Sequence, residues 1–317
     1  MTQRNGKAFP LRWKSVPVSI LTFAIPVPVG RYTLQHMTMD ANISVSTVQP
    51  KVVNDPRFRA GRRLIEEGKA HFGAVEMFEV LSEQSAAQFG EESVEAATAM
   101  FEYGNALFCA FRLRVEQKTD HTESSGESYG GTKIEKNDEE DLLLAKDLME
   151  TSLVIHQRYV EETEGSKSLN EIIERQSDSN EKYESYLEWS RDQIPRILTT
   201  IGDICAFKNL HIDAFYFYLQ ASPLRESSLK SEKDKYHSRK TVTKNIITAQ
   251  RHAVEINILS AEALLACPTD RDIVPSVTNE VLIKSTDIVD LANGYYQNAR
   301  DGLQEMGKCL YVMKRKP

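Results

Sequence analysis

Residues 198–221 read LTTIGDICAFKNLHIDAFYFYLQA, and this stretch decides the fold. It has the pattern of two short helices placed back to back. Leu198, Ile201, Gly202 and Cys205 share one face of the first, and Ala214 and Tyr218 share one face of the second. Gly202 and Ala214 are small, which suits a point where paired helices cross closely. Leu198, Ile201, Cys205 and Tyr218 are large enough to fill the seam between them. A hairpin of this kind cannot bury its apolar face alone, so similar hairpins must stack on both sides.

The spacing is that of a tetratricopeptide repeat, L-G-x2-Y in the first helix and A-x3-F in the second. Weaker copies flank it. Asp55-Pro56 gives an N-cap followed by proline at the first helical position. Ala60-Gly61-x2-Leu64 then matches the first-helix core, and Gly68 opens the turn. The second helix of this copy fits either as Ala74 and Phe78 or, one residue earlier, as Gly73 and Met77. A second copy opens at Ser93 and shows Met100-x2-Tyr103-Gly104-x2-Leu107, but its second helix does not follow. Residues 115–140 are polar, rich in Gly and Ser, and without apolar periodicity, so they are expected to be disordered. Ala145 and Met149 then supply the missing A-x3-F. Gly104 to Ala145 is 41 positions where the standard step is 12, and a surface loop of that length costs little closure entropy.

Residues 161–192 are polar and acid-leaning, part of them helical, docked by Tyr183, Tyr186, Leu187 and Trp189. Pro195 falls near the N-terminal turn of the anchor repeat. After Pro223 comes a charged bridge, 225–240, then a helical run over 241–266 in which Leu259-Ser260-x2-Ala263 is a poor fourth copy. A closing helix or two is expected within 281–304. The expected architecture is therefore all-α: a superhelix of about four hairpins over 56–310, capped at its C-terminal end and followed by a basic tail, 311–317. Residues 1–55 lie outside the domain.

Composition agrees. With 41% hydrophobic and 27% charged residues, and no long Val/Ile/Thr alternation, an all-β fold is excluded. The net charge of −7 is uneven. Residues 1–39 hold five bases and no acid, so the remainder carries 46 acids against 34 bases. Such a body favours basic partners and argues against direct DNA binding. Cys109, Cys205, Cys267 and Cys309 are far apart and fit buried thiols in a reducing compartment. The apolar run 16–29 is interrupted by Pro17, Pro26 and Pro28 and is too short to span a membrane. Three readings of the N-terminus stand: a targeting segment, a tail, or an extension ahead of a start at Met37 or Met39.

A repeat array whose second hairpin is split by a polar, acid-bearing insert resembles the interrupted-repeat histone chaperones, the nuclear autoantigenic sperm protein family and its fungal relatives. The resemblance rests on EEGKAHFGAVEMFE (66–79), FEYGNALF (101–108), DLLLAKDLMETSLVI (141–155) and IGDICAFKNLHIDAFYFY (201–218), and covers about residues 56–265. It implies binding of histones H3 and H4 ahead of their deposition, a nuclear location, and a role for the acids Glu135, Asp138, Glu139 and Glu140 of the insert. The insert also carries Lys118, Lys133 and Lys136, fewer net charges than the family's usual acidic block, and the family's long basic C-terminal extension is absent unless Lys314-Arg315-Lys316 is its remnant. A homodimer is compatible with this picture.

No catalytic pattern is present: no GxGxxG, P-loop, HExxH or GxSxG. The seven histidines are scattered and fit surface or seam positions better than metal or catalytic ones. No cofactor or metal is implied, and an enzyme is not expected. In stacked hairpins the first helix of each pair lines the concave groove, which assigns Phe101, Asn105 and Phe108, and Thr199, Asp203 and Phe207, to a binding surface. The aromatics there would grip an apolar side chain and Asp203 would pair with Lys or Arg. Packing against the neighbouring repeat is the competing role for the three phenylalanines. Two other functions stand beside histone binding. An adaptor for an acidic C-terminal tail would need a groove cluster of Lys, Arg and Asn, for which only Asn105 is in view. An organellar repeat protein would follow if 1–36 were a transit peptide.

Overall fold

The computed structural model describes residues 49–70, 73–123, 136–173, 186–239, 244–267, 284 and 287–314, all within the second of two compact units, 38–317. Every regular element among them is helical. A 3-10 turn, Lys51–Asn54, precedes α1 (Pro56–Glu66), α2 (Ala74–Phe89), α3 (Val94–Glu123), α4 (Lys136–Ile173), α5 (Leu187–Phe207), α6 (His211–Arg239), α7 (Lys244–Ala266) and α8 (Ile288–Lys314). Each helix packs chiefly against its neighbours in the chain, and α1 with α3 and α3 with α5 also touch. That is the pattern of hairpins stacked in order.

The helix ends follow from local chemistry. The Asp55 carboxylate caps α1 by accepting from the Arg57 backbone N–H at 2.8 Å, and Pro56 takes the position whose missing N–H costs nothing. The Ser93 hydroxyl caps α3 through Ala96 N–H at 3.1 Å. Two hairpins turn by the same device. Lys69 N–H reaches back to Leu64 O at 2.7 Å and Gly68 N–H to Ile65 O at 3.0 Å, with Gly68 at φ 68°. Leu210 N–H reaches Cys205 O at 2.8 Å and Asn209 N–H reaches Ala206 O at 3.0 Å, with Asn209 at φ 59°. Both are Schellman closures, which require a left-handed residue just past the helix.

The small residues sit where the helices cross. A Cβ on Gly61 would lie 2.6 Å from the Phe78 ring, and one on Gly202 would collide with the ring of Tyr218. This settles the first hairpin on Ala74 and Phe78, both wholly buried; Gly73, at φ 95°, is the residue before α2. One on Gly104 would lie 2.8 Å from Ala145 O and 3.1 Å from Met149 Cγ. α3 and α4 are thus antiparallel neighbours. Ser152 Oγ donates to Ala97 O at 2.7 Å near one end, and Arg114 pairs with Asp141 at 2.6 Å near the other. One buried cluster runs from Phe101, Phe111, Leu142 and Met149 through Leu198, Ile201, Ile204, Phe215 and Tyr218 to Leu264, Ile288 and Ala292. A second surrounds Phe58 and Phe78, and Val75 and Tyr103 bridge the two. Each such large side chain contributes about 1.5–3 kcal/mol by leaving water.

Three expectations need correction. The helices run further into the insert than its polarity suggests, to Glu123 on one side and from Lys136 on the other. Once a helix is nucleated, Glu, Gln and Lys extend it at little cost, and acids such as Asp138, Glu139 and Glu140 favour a helix N-terminus. Residues 124–135, Glu135 among them, and Tyr183 lie outside the described residues. Pro195 is not near the start of its helix, because α5 begins at Leu187, where Leu187 and Trp189 dock. Pro223 does not end α6, which continues to Arg239 with the charged bridge as its second half. Each proline removes one i to i−4 hydrogen bond, a loss the flanking turns and packing tolerate.

Candidate binding face

Polar residues from α1, α3 and α5, and beside them from α6 and α7, gather into one cluster. Its centre is Glu102, whose side chain is 3% exposed. A carboxylate that deep needs partners. Arg62 on α1 comes within 3.6 Å and Arg196 on α5 within 3.4 Å. Arg196 also donates to Gln193 Oε1 at 2.7 Å and lays its guanidinium 5.1 Å from the centre of the Phe101 ring. Burial pushes the Arg196 pKa down; Glu102 works against that shift and Arg62 adds to it.

Arg225, on α6, donates to His252 Nδ1 on α7 at 3.3 Å, which places the His252 proton on Nε2. Burial takes the Arg225 pKa down to about 10, with nearby Arg196 adding to the effect and Glu255 and Asp192 opposing it. His252 falls to about 3, by burial first and then by Arg225, Arg196 and Arg251, so it is neutral. Arg196 therefore stands close enough to feel both Arg62 and Arg225, with Glu102, Glu255 and Asp192 set among them.

The six residues assigned from sequence divide. Phe101 and Phe108 are buried, the first beneath Arg196 and the second edge-on to Phe207 at 6.5 Å. Both rings are packed against neighbouring helices, the competing role named for them from the sequence. Phe207 is half-buried, 5.0 Å from Phe111 and packed against the core. Asn105 and Thr199 are half-buried; Asn105 Oδ1 lies 3.7 Å from Cys109 Sγ, and Thr199 Oγ1 donates to Pro195 O at 2.7 Å.

Asp203 is the largest departure from a simple cation partner. It accepts the Tyr218 hydroxyl at 2.8 Å. Burial raises its pKa to about 7, with Glu255 adding and the Tyr218 hydrogen bond and Arg112 opposing. Burial thus disfavours its charged form. Of the insert acids, Glu139 and Glu140 are exposed on the first turns of α4.

The four arginine and glutamate positions were missed for a reason that is visible afterwards. Glu102 lies in Phe101-Glu102-Tyr103 and Arg196 in Ile194-Pro195-Arg196-Ile197, single charges inside apolar runs. A charge in such a place must be paired across a helix interface. Among the described residues no three His, Cys, Asp or Glu side chains gather as metal ligands, and no helix is long and apolar enough to cross a membrane. All four thiols are free, and burial raises Cys109, Cys205 and Cys267 to about 11, which leaves them unreactive. Comparison with protein-family models and with curated proteins gives no match.

Proposed function

We propose that this chain is a tetratricopeptide-type histone chaperone that holds a segment of histone H3 or H4 against the face of α1, α3, α5 and α7. The observation that carries the proposal is the interrupted hairpin: Gly104 against Ala145 and Met149, neighbours in space across 41 positions of chain. It supports the family resemblance because an interruption within the second of stacked hairpins is the resemblance's most particular feature. Asn105, Thr199 and Phe207 are the half-open contacts for the bound segment. The exposed acids Glu139 and Glu140, with those of the insert, act by shielding histone charge, each pair worth about 0–1 kcal/mol, so that many are required. A nuclear role in nucleosome assembly follows from this proposal.

The test is a titration of the full chain with H3–H4 at two salt concentrations. Micromolar or tighter binding that weakens as salt rises is expected. No binding at low salt overturns the proposal.

A second reading has an observation of its own. Arg62, Arg196 and Arg225 give the face the cluster that an acidic ligand needs. On that reading the chain is an adaptor for an acidic peptide. An acidic peptide that binds alone, and that Arg196→Glu releases, would favour it over histone binding.

A further inference from the structure

We propose that Arg225 of α6 and His252 of α7 form a binding site for a phosphate group. Arg225 stands on the packed side of α6, in line with Ala214, Tyr218, Ala221 and Leu229, all of them buried. Leu229 closes an apolar cluster with Ile246 and Ala253 of α7, and Ala253 follows His252 in the chain. A guanidinium set in such a seam needs a counter-charge, because a charge taken from water without one is strongly disfavoured. Arg225 has a neutral partner instead. It donates to His252 Nδ1 at 3.3 Å, and among the described residues no carboxylate forms an ion pair with it. The residue is half-buried, and the guanidinium nitrogens left without a partner still reach solvent, so a ligand has access to them.

The surroundings select the ligand. Arg196 of α5 and Arg251 of α7 stand near enough to act on His252 together with Arg225. Glu255 and Asp192 are the opposing charges at Arg225, and they act on it from beyond ion-pair distance. A guanidinium fork meets an oxyanion through two parallel hydrogen bonds. Three guanidiniums about one uncharged ring suit the two charges of a phosphate better than the single charge of a carboxylate. His252 is the prop: with Nδ1 accepting from Arg225, the ring fixes one arm of the fork and leaves the rest of it open. The phosphate arrives either as a phosphorylated side chain on a bound segment or as a small soluble phosphate. The proposal rests on the acidic-ligand reading of the arginine cluster and narrows it to one group at one residue pair.

Calorimetric titration of the full chain with inorganic phosphate, at constant ionic strength, tests this. A dissociation constant on the order of 1 mM is expected, the scale of a few charge-assisted hydrogen bonds, with acetate roughly tenfold weaker. Arg225→Gln should lose roughly tenfold or more in phosphate affinity at unchanged helical content, whereas Arg158→Gln, at an exposed arginine paired with Glu92, should bind as wild type does. Arg225→Lys keeps the charge in the seam and should fold, yet bind roughly threefold more weakly, because a point charge replaces the fork. A short Gly/Ala peptide carrying one phosphoserine identifies the source. Tighter binding than inorganic phosphate assigns the group to a bound segment, and binding no tighter assigns it to a small phosphate. Wild type that takes up no phosphate to about 50 mM overturns the proposal. So does phosphate binding that a folded Arg225→Gln or Arg225→Lys leaves at full strength, or acetate that binds as tightly as phosphate. A glutamate-rich peptide that binds while phosphate does not overturns the phosphate site alone and leaves the acidic-ligand reading standing; if neither binds, both fall.

Discussion

At Gly202 a single methyl group would enter space held by the ring of Tyr218, a side chain 1% exposed and fixed by its hydrogen bond to Asp203. Gly202→Ala should therefore cost about 1–3 kcal/mol, read as a lower urea midpoint with an unchanged slope. Asn209 makes the opposite case. It holds φ 59° where glycine would pay no steric penalty, as Gly68 does in the first hairpin. Asn209→Gly should raise stability by roughly 0.5–1 kcal/mol and Asn209→Ala should lower it, measured by thermal unfolding. Asp203 adds a dependence on pH. Its carboxyl is held near pH 7 in the fold against about 4 in an unfolded chain. Between those values the unfolded chain gives up its proton first, so stability falls as pH rises from about 4 to 7. His156 and His252, both taken down to about 3 by burial, act in the other direction below pH 6.5. The informative quantity is thus the difference between Asp203→Asn and wild type. The variant should gain on the order of 1 kcal/mol relative to wild type between pH 4.5 and 8, after allowance for screening. A constant difference would show that Asp203 ionises normally. Gly202 was legible in the sequence because the need for a small residue at a crossing is local. The state of Asp203 was not, since it depends on Glu255, Arg112 and Tyr218, which come from three other helices.

Among the elements, α3 and α4 show what periodicity can and cannot report. Their pairing was legible because Gly104, Ala145 and Met149 keep the repeat's spacing on either side of the insert. Their true ends were not, because a run of polar residues carries no periodic signal yet still propagates a helix. Met149 is wholly buried against Gly104, so Met149→Ala should cost about 2–4 kcal/mol, measured by chemical denaturation. The same limit explains α5 and α6. Proline marks a boundary in a local reading, but Pro195 and Pro223 lie inside helices whose flanking residues, Ile194, Ile197, Ala221 and Ser222, are buried. Tertiary burial outweighs the single lost hydrogen bond.

Taken whole, the described chain places its charges in two different ways. Glu139 and Glu140 lie where water screens them, whereas Glu102, Arg196 and Arg225 are held between helices. Binding through the first set should fade with salt, and binding through the second should not. Glu102→Gln should accordingly alter affinity for a bound segment by about the same factor at low and at high salt, measured by anisotropy. The family resemblance came from order and interruption along the chain. The arginine cluster could only emerge once α1, α5 and α6 were brought together in space.

Among the described residues, the contacts of α3 with α4 run from Ala97 with Ser152 to Arg114 with Asp141, on the two helices themselves. A chain severed within 124–135, or expressed as two genes, should give halves that find each other and co-purify. The molecule would then be a ready-made two-part reporter, lit only when both pieces share a cell.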